Sequence, residues 1–188
     1  AALRSGQILN MSQLSRDARL SVATTTRYLR LAETSFLFRQ LGPFLRSRSS
    51  RLIKSPKLYV SDSGVASHLA GVDRLGSTDD EPLRGALFET YALQNISSIV
   101  ESWLPDARVS YWHVQGRHEV DFIIEQRKTC IALEIKAARR WSGDDLSSLK
   151  IFLEKTPSCR AGIIAYNGVQ TARLGDKLWA MPLGTLLM

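Results

Sequence analysis

The sequence predicts an α/β (α+β) chain in two modules, a helical one with a short basic β-ribbon over 1–75 and one with a mixed sheet flanked by helices over 76–188. Three observations carry this. Glu119–Glu125 and Cys130–Lys136 alternate polar and apolar side chains, the period of a half-buried strand, and a polar turn separates them. Pro82–Trp103 carries an apolar stripe at helical spacing. Charge divides where the pattern does: residues 1–75 hold 12 Lys/Arg against 4 Asp/Glu, whereas 76–188 hold 13 against 14. A basic segment joined to a near-neutral one gives the first module the electrostatic footprint of a polyanion binder.

In the first module Ser12 can cap a short helix through Leu14 to Ala18, and Ser21 a second from Val22 to about Glu33. On the second, Val22, Thr26 and Leu29 are expected inward, which leaves Ala23, Thr24, Arg27 and Arg30 on a surface suited to a major groove. Phe36–Leu45 and Lys57–Val60 read as two wing strands, so the module reads as a winged helix-turn-helix. Between them Arg46, Arg48, Arg51, Lys54 and Lys57 occur without an acid, among serines. As a basic wing this segment would contact phosphates and lose affinity steeply as salt rises. Two plainer readings stand beside it: a wing that is merely solvated, or a module that packs against another domain.

Asp62 can cap a helix through Ser67 to Ala70, and the Gly, Asp, Ser and Thr of Gly71–Asp80 mark a linker. The second module then reads α-β-β-β-α-β: the helix over 82–103, a strand near Val109–Val114, the two alternating strands, a helix near Asp144–Glu154 and a strand near Ala161–Tyr166. Trp179–Leu187 reads as a final strand and turn.

Closing the hairpin at Gln126–Thr129 pairs residues whose numbers sum to 255, so Asp121 lies opposite Glu134. Val120, Phe122, Ile124, Ile131, Leu133 and Ile135 then share an apolar face, and Glu119, Asp121, Glu134 and Lys136 share the other. Like charges directly opposite on a hairpin are destabilising. A hard divalent cation, Mg²⁺ or Mn²⁺, would offset the repulsion; so would pairing of the acids with Lys136 and Arg117. Glu89 lies on the same helical stripe as Ala92, Leu93, Ile96 and Val100, where a carboxylate is costly unless a metal or an arginine takes it up.

An acid on a helix, an Asp on one strand and Glu-x-Lys on the next resemble the PD-(D/E)XK nuclease superfamily, with its restriction-endonuclease-like fold. Glu89 would be the helix acid, Asp121 the second-motif aspartate, and Glu134-Ile135-Lys136 the third motif. More narrowly, the chain resembles the C-terminal region that follows AAA+ type ATPase modules in many bacterial and archaeal proteins. That resemblance runs through Arg4-Ser5-Gly6-Gln7, Leu9-Asn10, Arg27-Tyr28-Leu29, Phe36-Leu37, Lys57-Leu58-Tyr59-Val60-Ser61-Asp62-Ser63-Gly64, Gly85-x-x-Phe88-Glu89, Tyr111-Trp112, Glu119-Val120-Asp121-Phe122 and Glu134-Ile135-Lys136.

The resemblance implies metal-assisted hydrolysis of a phosphodiester in nucleic acid. Asp121, Glu134 and the Ile135 carbonyl would hold Mg²⁺ or Mn²⁺, with Glu89 beside them. Lys136, its pKa depressed by burial and the metal, would orient or help deprotonate the attacking water. Arg27, Arg30, Arg46, Arg48, Arg51, Lys54 and Lys57 would bind the nucleic acid, and an ATPase would precede this segment in the full protein. The chain departs from the pattern after Lys136, where Ala137, Ala138, Arg139 and Arg140 bring no hydroxyl or amide beside the motif. The alternative function is a non-catalytic module that binds DNA or a partner through an inactive nuclease fold.

Other chemistries are excluded. No Gly-x-x-x-x-Gly-Lys-Ser/Thr is present to cradle ATP, no nucleophile elbow surrounds a serine, and His68, His113 and His118 stand at no zinc-ligand spacing from the cysteines. Cys130 and Cys159 are far apart in sequence, so no disulfide framework is indicated and a reducing cytoplasm fits. No apolar run reaches membrane-span length.

Overall fold

The computed structural model describes residues 2–45, 55–73, 80–114 and 118–188. It divides into two units, Ala1–Pro43 with Ser47–Tyr91, and Phe44–Arg46 with Ala92–Met188.

In the first unit, helix α1 (Met11–Ala18) is capped by Asn10, whose Oδ1 accepts the Gln13 N–H at 3.0 Å. The cap therefore stands two residues before the expected Ser12. Helix α2 (Val22–Thr34) is capped by Ser21 as expected, through the Thr24 N–H at 3.1 Å. Its inward stripe runs through Thr25 and Leu29, whereas Val22 is 50% exposed. Thr25 can be buried at little polar cost because its hydroxyl donates to the Ser21 carbonyl at 3.0 Å.

Three short antiparallel strands follow the order β1-β3-β2: β1 (Gln7–Ile8), β2 (Phe38–Leu41) and β3 (Lys57–Val60). The edge strand β1 was not expected, since two residues carry no readable alternation. Helix α3 (Ser63–Leu69) starts on Asp62, which accepts the Val65 N–H at 2.8 Å. Val60, Ala66, Val72 and Leu87 form the core of this unit, with Phe38, Ala70 and Leu83 packed against them.

Leu83 and Leu87 come from α4 (Glu81–Trp103), a 23-residue helix that starts one residue before the expected Pro82. Its first half, through Tyr91, belongs to the first unit, and Ala92 onward belongs to the second.

The second unit is built on a six-stranded mixed sheet flanked by helices, in the order β4-β5-β6-β7-β9-β8. Its strands are β4 (Ala107–Val114), β5 (His118–Gln126), β6 (Thr129–Lys136), β7 (Cys159–Tyr166), β8 (Ala172–Arg173) and β9 (Leu178–Pro182). The β6–β7 and β7–β9 pairs are parallel and the rest antiparallel. Helix α5 (Ser147–Lys155) makes the crossover between β6 and β7, and a short α6 (Leu183–Leu186) follows β9.

Phe152 of α5 is fully buried among Trp112, Val120, Ile123, Ala132, Leu149 and Ile164. Its ring meets those of Phe44 and Trp112 edge-on, with centroids 5.5 and 5.2 Å away. Phe44 is placed by its own backbone, whose N–H donates to the Tyr111 carbonyl. Phe122 and Leu133 are also fully buried, so this sheet is covered on both faces. Among the described residues no helix is long and apolar enough to cross a membrane.

The cysteines, far apart in sequence, become register partners on β6 and β7 and are both buried. The Cys159 thiol donates to the Ala161 carbonyl at 3.3 Å, and its closeness together with burial pushes the Cys130 pKa up.

Candidate functional site

The hairpin of β5 and β6 has the register the turn dictates: Gln126↔Thr129, Ile124↔Ile131 and Phe122↔Leu133 are Cα partners. The ladder stops there, because the next N–H, that of Ile135, turns to a side chain and donates to Asp121 Oδ2 at 2.8 Å. A bulge explains how Asp121 comes to face its neighbour strand's backbone. Between Ser110↔Ile123 and Trp112↔Val120 the β4–β5 register slips by one, so Asp121 and Phe122 together stand opposite Tyr111. The slip also breaks strict alternation. Val120 and Ile123 enter the same core, where the sequence places them on opposite faces.

Asp121 is 9% exposed and the Glu134 side chain 13%. Lys136 Nζ stands 3.5 Å from Glu134 Oε1 and 3.2 Å from Asp145 Oδ1. Asp145 is held in turn by Ser142, whose N–H and hydroxyl donate to Oδ2 at 2.8 and 3.0 Å. Burial pulls the Lys136 pKa down, but Glu134, the Asp145 hydrogen bond and the charge of Asp121 outweigh it, so it lies above its ordinary value. The expected depression rests on burial together with a metal, and burial does act in that direction here. Within this chain's own field Lys136 is an ammonium that donates and neutralises.

Asp145 was not singled out in the sequence. Its signal is the Ser142-Gly143-Asp144-Asp145 turn ahead of α5, which reads first as a helix start. Burial pushes its carboxyl up, yet the two Ser142 bonds and Lys136 hold it below its ordinary 3.8. A lowered carboxyl stabilises the fold above its unfolded-state value and loses that contribution as pH falls through the folded one. Asp145→Asn is therefore expected to cost about 0.2–1 kcal/mol at neutral pH and nothing near pH 2, read from urea denaturation at both pH values. An equal loss at both would show that the charge plays no part.

The candidate residues fall in both units. Asp121, Glu134 and Lys136 come together at the end of the hairpin, with Ile135 between. Glu89 belongs to the first unit, where Lys57 Nζ donates to its Oε1 at 3.0 Å and the Tyr59 hydroxyl donates to the same oxygen. Lys57, expected on a solvent-facing wing, is 2% exposed. Its ammonium pairs with Glu89 inside the fold instead of facing water. Arg27 and Arg30 are exposed on α2, with the Arg27 guanidinium 5.6 Å from the centre of the Tyr28 ring. Arg46, Arg48, Arg51 and Lys54 lie outside the described residues, as does Arg117.

Asp121 and Glu134 offer hard carboxylate oxygens, and the Ile135 carbonyl stands between them in sequence. Among the described residues no three His, Cys, Asp or Glu side chains converge as a metal-holding group. Mg²⁺ is commonly held through one or two carboxylates and completed by water and substrate phosphates. Two carboxylates are a donor set of that kind.

Comparison with known proteins gives two family matches. Residues 84–186 match the family described as Domain of unknown function (DUF4143), and residues 1–76 match one described as Domain of unknown function (DUF8612). An uncharacterized protein of Mycobacterium tuberculosis is 28% identical over 183 residues, covering 97% of this chain and 40% of its own length. One of Mycobacterium bovis matches to the same extent. The chain thus spans 40% of the length of these curated relatives. Among solved structures, a chain from a half-complex of the tetradecameric assembly of Thermococcus gammatolerans McrB AAA+ hexamers with bound McrC aligns with a TM-score of 0.37. That alignment has 11% identity and covers 81% of this chain and 58% of that one.

Proposed function

We propose that this chain, which belongs to the family described as Domain of unknown function (DUF4143), uses its second unit to hydrolyse phosphodiester bonds in nucleic acid. The observation that supports this reading is the meeting of Asp121, Glu134 and Lys136 at one end of the β5–β6 hairpin. Asp121 and Glu134, with the Ile135 carbonyl, would hold Mg²⁺ or Mn²⁺, which supplies Lewis-acid polarisation of the phosphate and of a bound water. The bond from the Ile135 N–H fixes the Asp121 carboxylate in orientation. Lys136 keeps its proton and faces the charge that develops on the phosphate oxygens. Ser142 steadies Asp145, and Asp145 steadies the ammonium.

The first unit we read as a winged helix-turn-helix that supplies affinity, with Arg27 and Arg30 of α2 as phosphate contacts. Glu89 and Lys57 serve in this reading to join α4 to β3. An ATPase in the longer protein would couple nucleotide hydrolysis to whatever this segment binds.

One observation favours a second reading, a binding module without turnover: Lys136 already spans Glu134 and Asp145 and so neutralises the acids without an ion. Cleavage of labelled single- and double-stranded DNA with Mg²⁺ or Mn²⁺ separates the two. Hydrolysis is expected to fall by about 10²-fold or more in both Asp121→Asn and Lys136→Ala. A folded chain that binds DNA in every metal without cutting it would leave the binding reading in place.

A further inference from the structure

The parallel pair β6–β7 ends at Lys136↔Tyr166, and the loops that leave these two strands run side by side. The Asn167 N–H ties them together, donating to the Lys136 carbonyl at 3.2 Å and to the Ala138 carbonyl at 3.1 Å. Between the loops lies a cavity of about 820 Å³ lined by Arg139, Arg140 and Trp141 from one and by Asn167, Gly168 and Gln170 from the other. Crevices beyond the carboxyl ends of parallel strands are the usual ligand sites of such sheets.

The lining has a definite chemistry. Arg139 and Arg140 are exposed, and neither takes part in an ion pair among the described residues. Two guanidinium groups lining one cavity suit a phosphate, which a guanidinium can grip in paired hydrogen bonds. Trp141 is half-buried against the core of the unit, which fixes it beside the cavity. An indole held in this way is a platform for a flat ring. The Asn167 and Gln170 side chains are exposed amides, able both to donate and to accept along a ring's edge.

The floor is rigid. The Tyr166 hydroxyl donates to the Gln170 carbonyl at 2.7 Å, and Gly168 rests so close to the Tyr166 ring that any Cβ there would collide with it. The loop is thus folded onto Tyr166 and presents its amides in a fixed place.

We infer that this cavity binds one nucleotide with its base unpaired, the phosphate on Arg139 and Arg140 and the base against Trp141. A base inside a duplex has no free face, so the site selects a single strand or a free mononucleotide. The proposal rests on the reading of the second unit as directed at nucleic acid, but it requires neither a metal nor hydrolysis.

The test is binding in EDTA, where cleavage plays no part. Anisotropy of a labelled oligo(dT) strand is measured with the full chain, with Arg139→Ala/Arg140→Ala, with Trp141→Leu and with Lys128→Ala at the opposite end of β6. The double variant is expected to bind at least about tenfold more weakly, and its log–log salt slope to fall by about 0.7, the value for one single-strand phosphate contact. Trp141→Leu keeps apolar packing against the core, yet is expected to lose about tenfold and the tryptophan quenching that accompanies binding. Lys128→Ala removes a charge elsewhere and is expected to match the parent within about twofold.

Thymidine monophosphate tells the sources apart: quenching by it alone identifies a free nucleotide, and quenching only by the strand identifies nucleic acid. Equal binding by the parent, the double variant and Trp141→Leu would overturn the proposal, as would an absence of single-strand binding. Retained strand binding without metal-dependent cutting would instead overturn hydrolysis and leave the nucleotide site standing.

Discussion

Lys57→Ala is expected to destabilise the first unit by about 3–5 kcal/mol, the cost of leaving a buried charge without its partner. Lys57 is 2% exposed and the Glu89 side chain 17%, and Tyr59 beneath them is fully buried. Removal of the ammonium takes the charged donor from Glu89 Oε1, on which the Tyr59 hydroxyl also donates. Glu89→Ala is expected to cost a similar amount by removing the carboxylate that pairs with the buried Lys57 ammonium. The pair Lys57→Met with Glu89→Leu should recover much of either loss, because apolar side chains of similar volume often replace a buried ion pair at little cost. Hydrogen exchange of the β3 amides is the right probe, since all four tryptophans lie at Trp103 or beyond and report on the second unit. A loss below about 1 kcal/mol in both single variants would mean that the pair is solvated in solution.

Phe152→Ala is the second large effect. The side chain is fully buried, and truncating such a phenylalanine typically costs about 3–5 kcal/mol. The edge-on contacts with Phe44 and Trp112 add about 0.5–1.5 kcal/mol each beyond the buried area. Urea denaturation followed by tryptophan fluorescence reads it, because Trp112 is one of the two partners. Phe152→Leu keeps most of the volume and should cost less than half as much; equal costs would place the effect in the rings rather than in the cavity.

What could be read from the sequence follows from locality. The β5–β6 register was legible because a two-residue turn fixes every pair behind it, and Ser21 and Asp62 were legible as caps because a cap bonds only two or three residues ahead. The α4 stripe was legible because its period repeats over six turns. Asn10 was missed because Ser12 competes with it under the same rule.

The site was legible only in part. Asp121, Glu134 and Lys136 sit on one hairpin, so their meeting is local. The fate of Glu89 depends on Lys57 and Tyr59, some 30 residues away across β3, and no periodicity reports that distance. The contact of Asp145 with Lys136 crosses the loop between β6 and α5, and neither it nor the bulge that puts Val120 and Ile123 in one core shows in any periodicity. Beyond Lys136 the Ser142 hydroxyl reaches Asp145, and the Asn167 N–H reaches the Lys136 carbonyl, a contact that only the β6–β7 crossover brings about.

The exchange of segments between the units has a consequence for inheritance. The two family matches part between residues 76 and 84, which marks where the gene could be cut and rejoined. A crossover there would hand one descendant Lys57 without Glu89 and the other Phe152 without Phe44. Each product would begin with a hole where its former neighbour's side chain had been, one charged and one aromatic. A recombinant that takes only one segment would have to repair the position its lost half had filled.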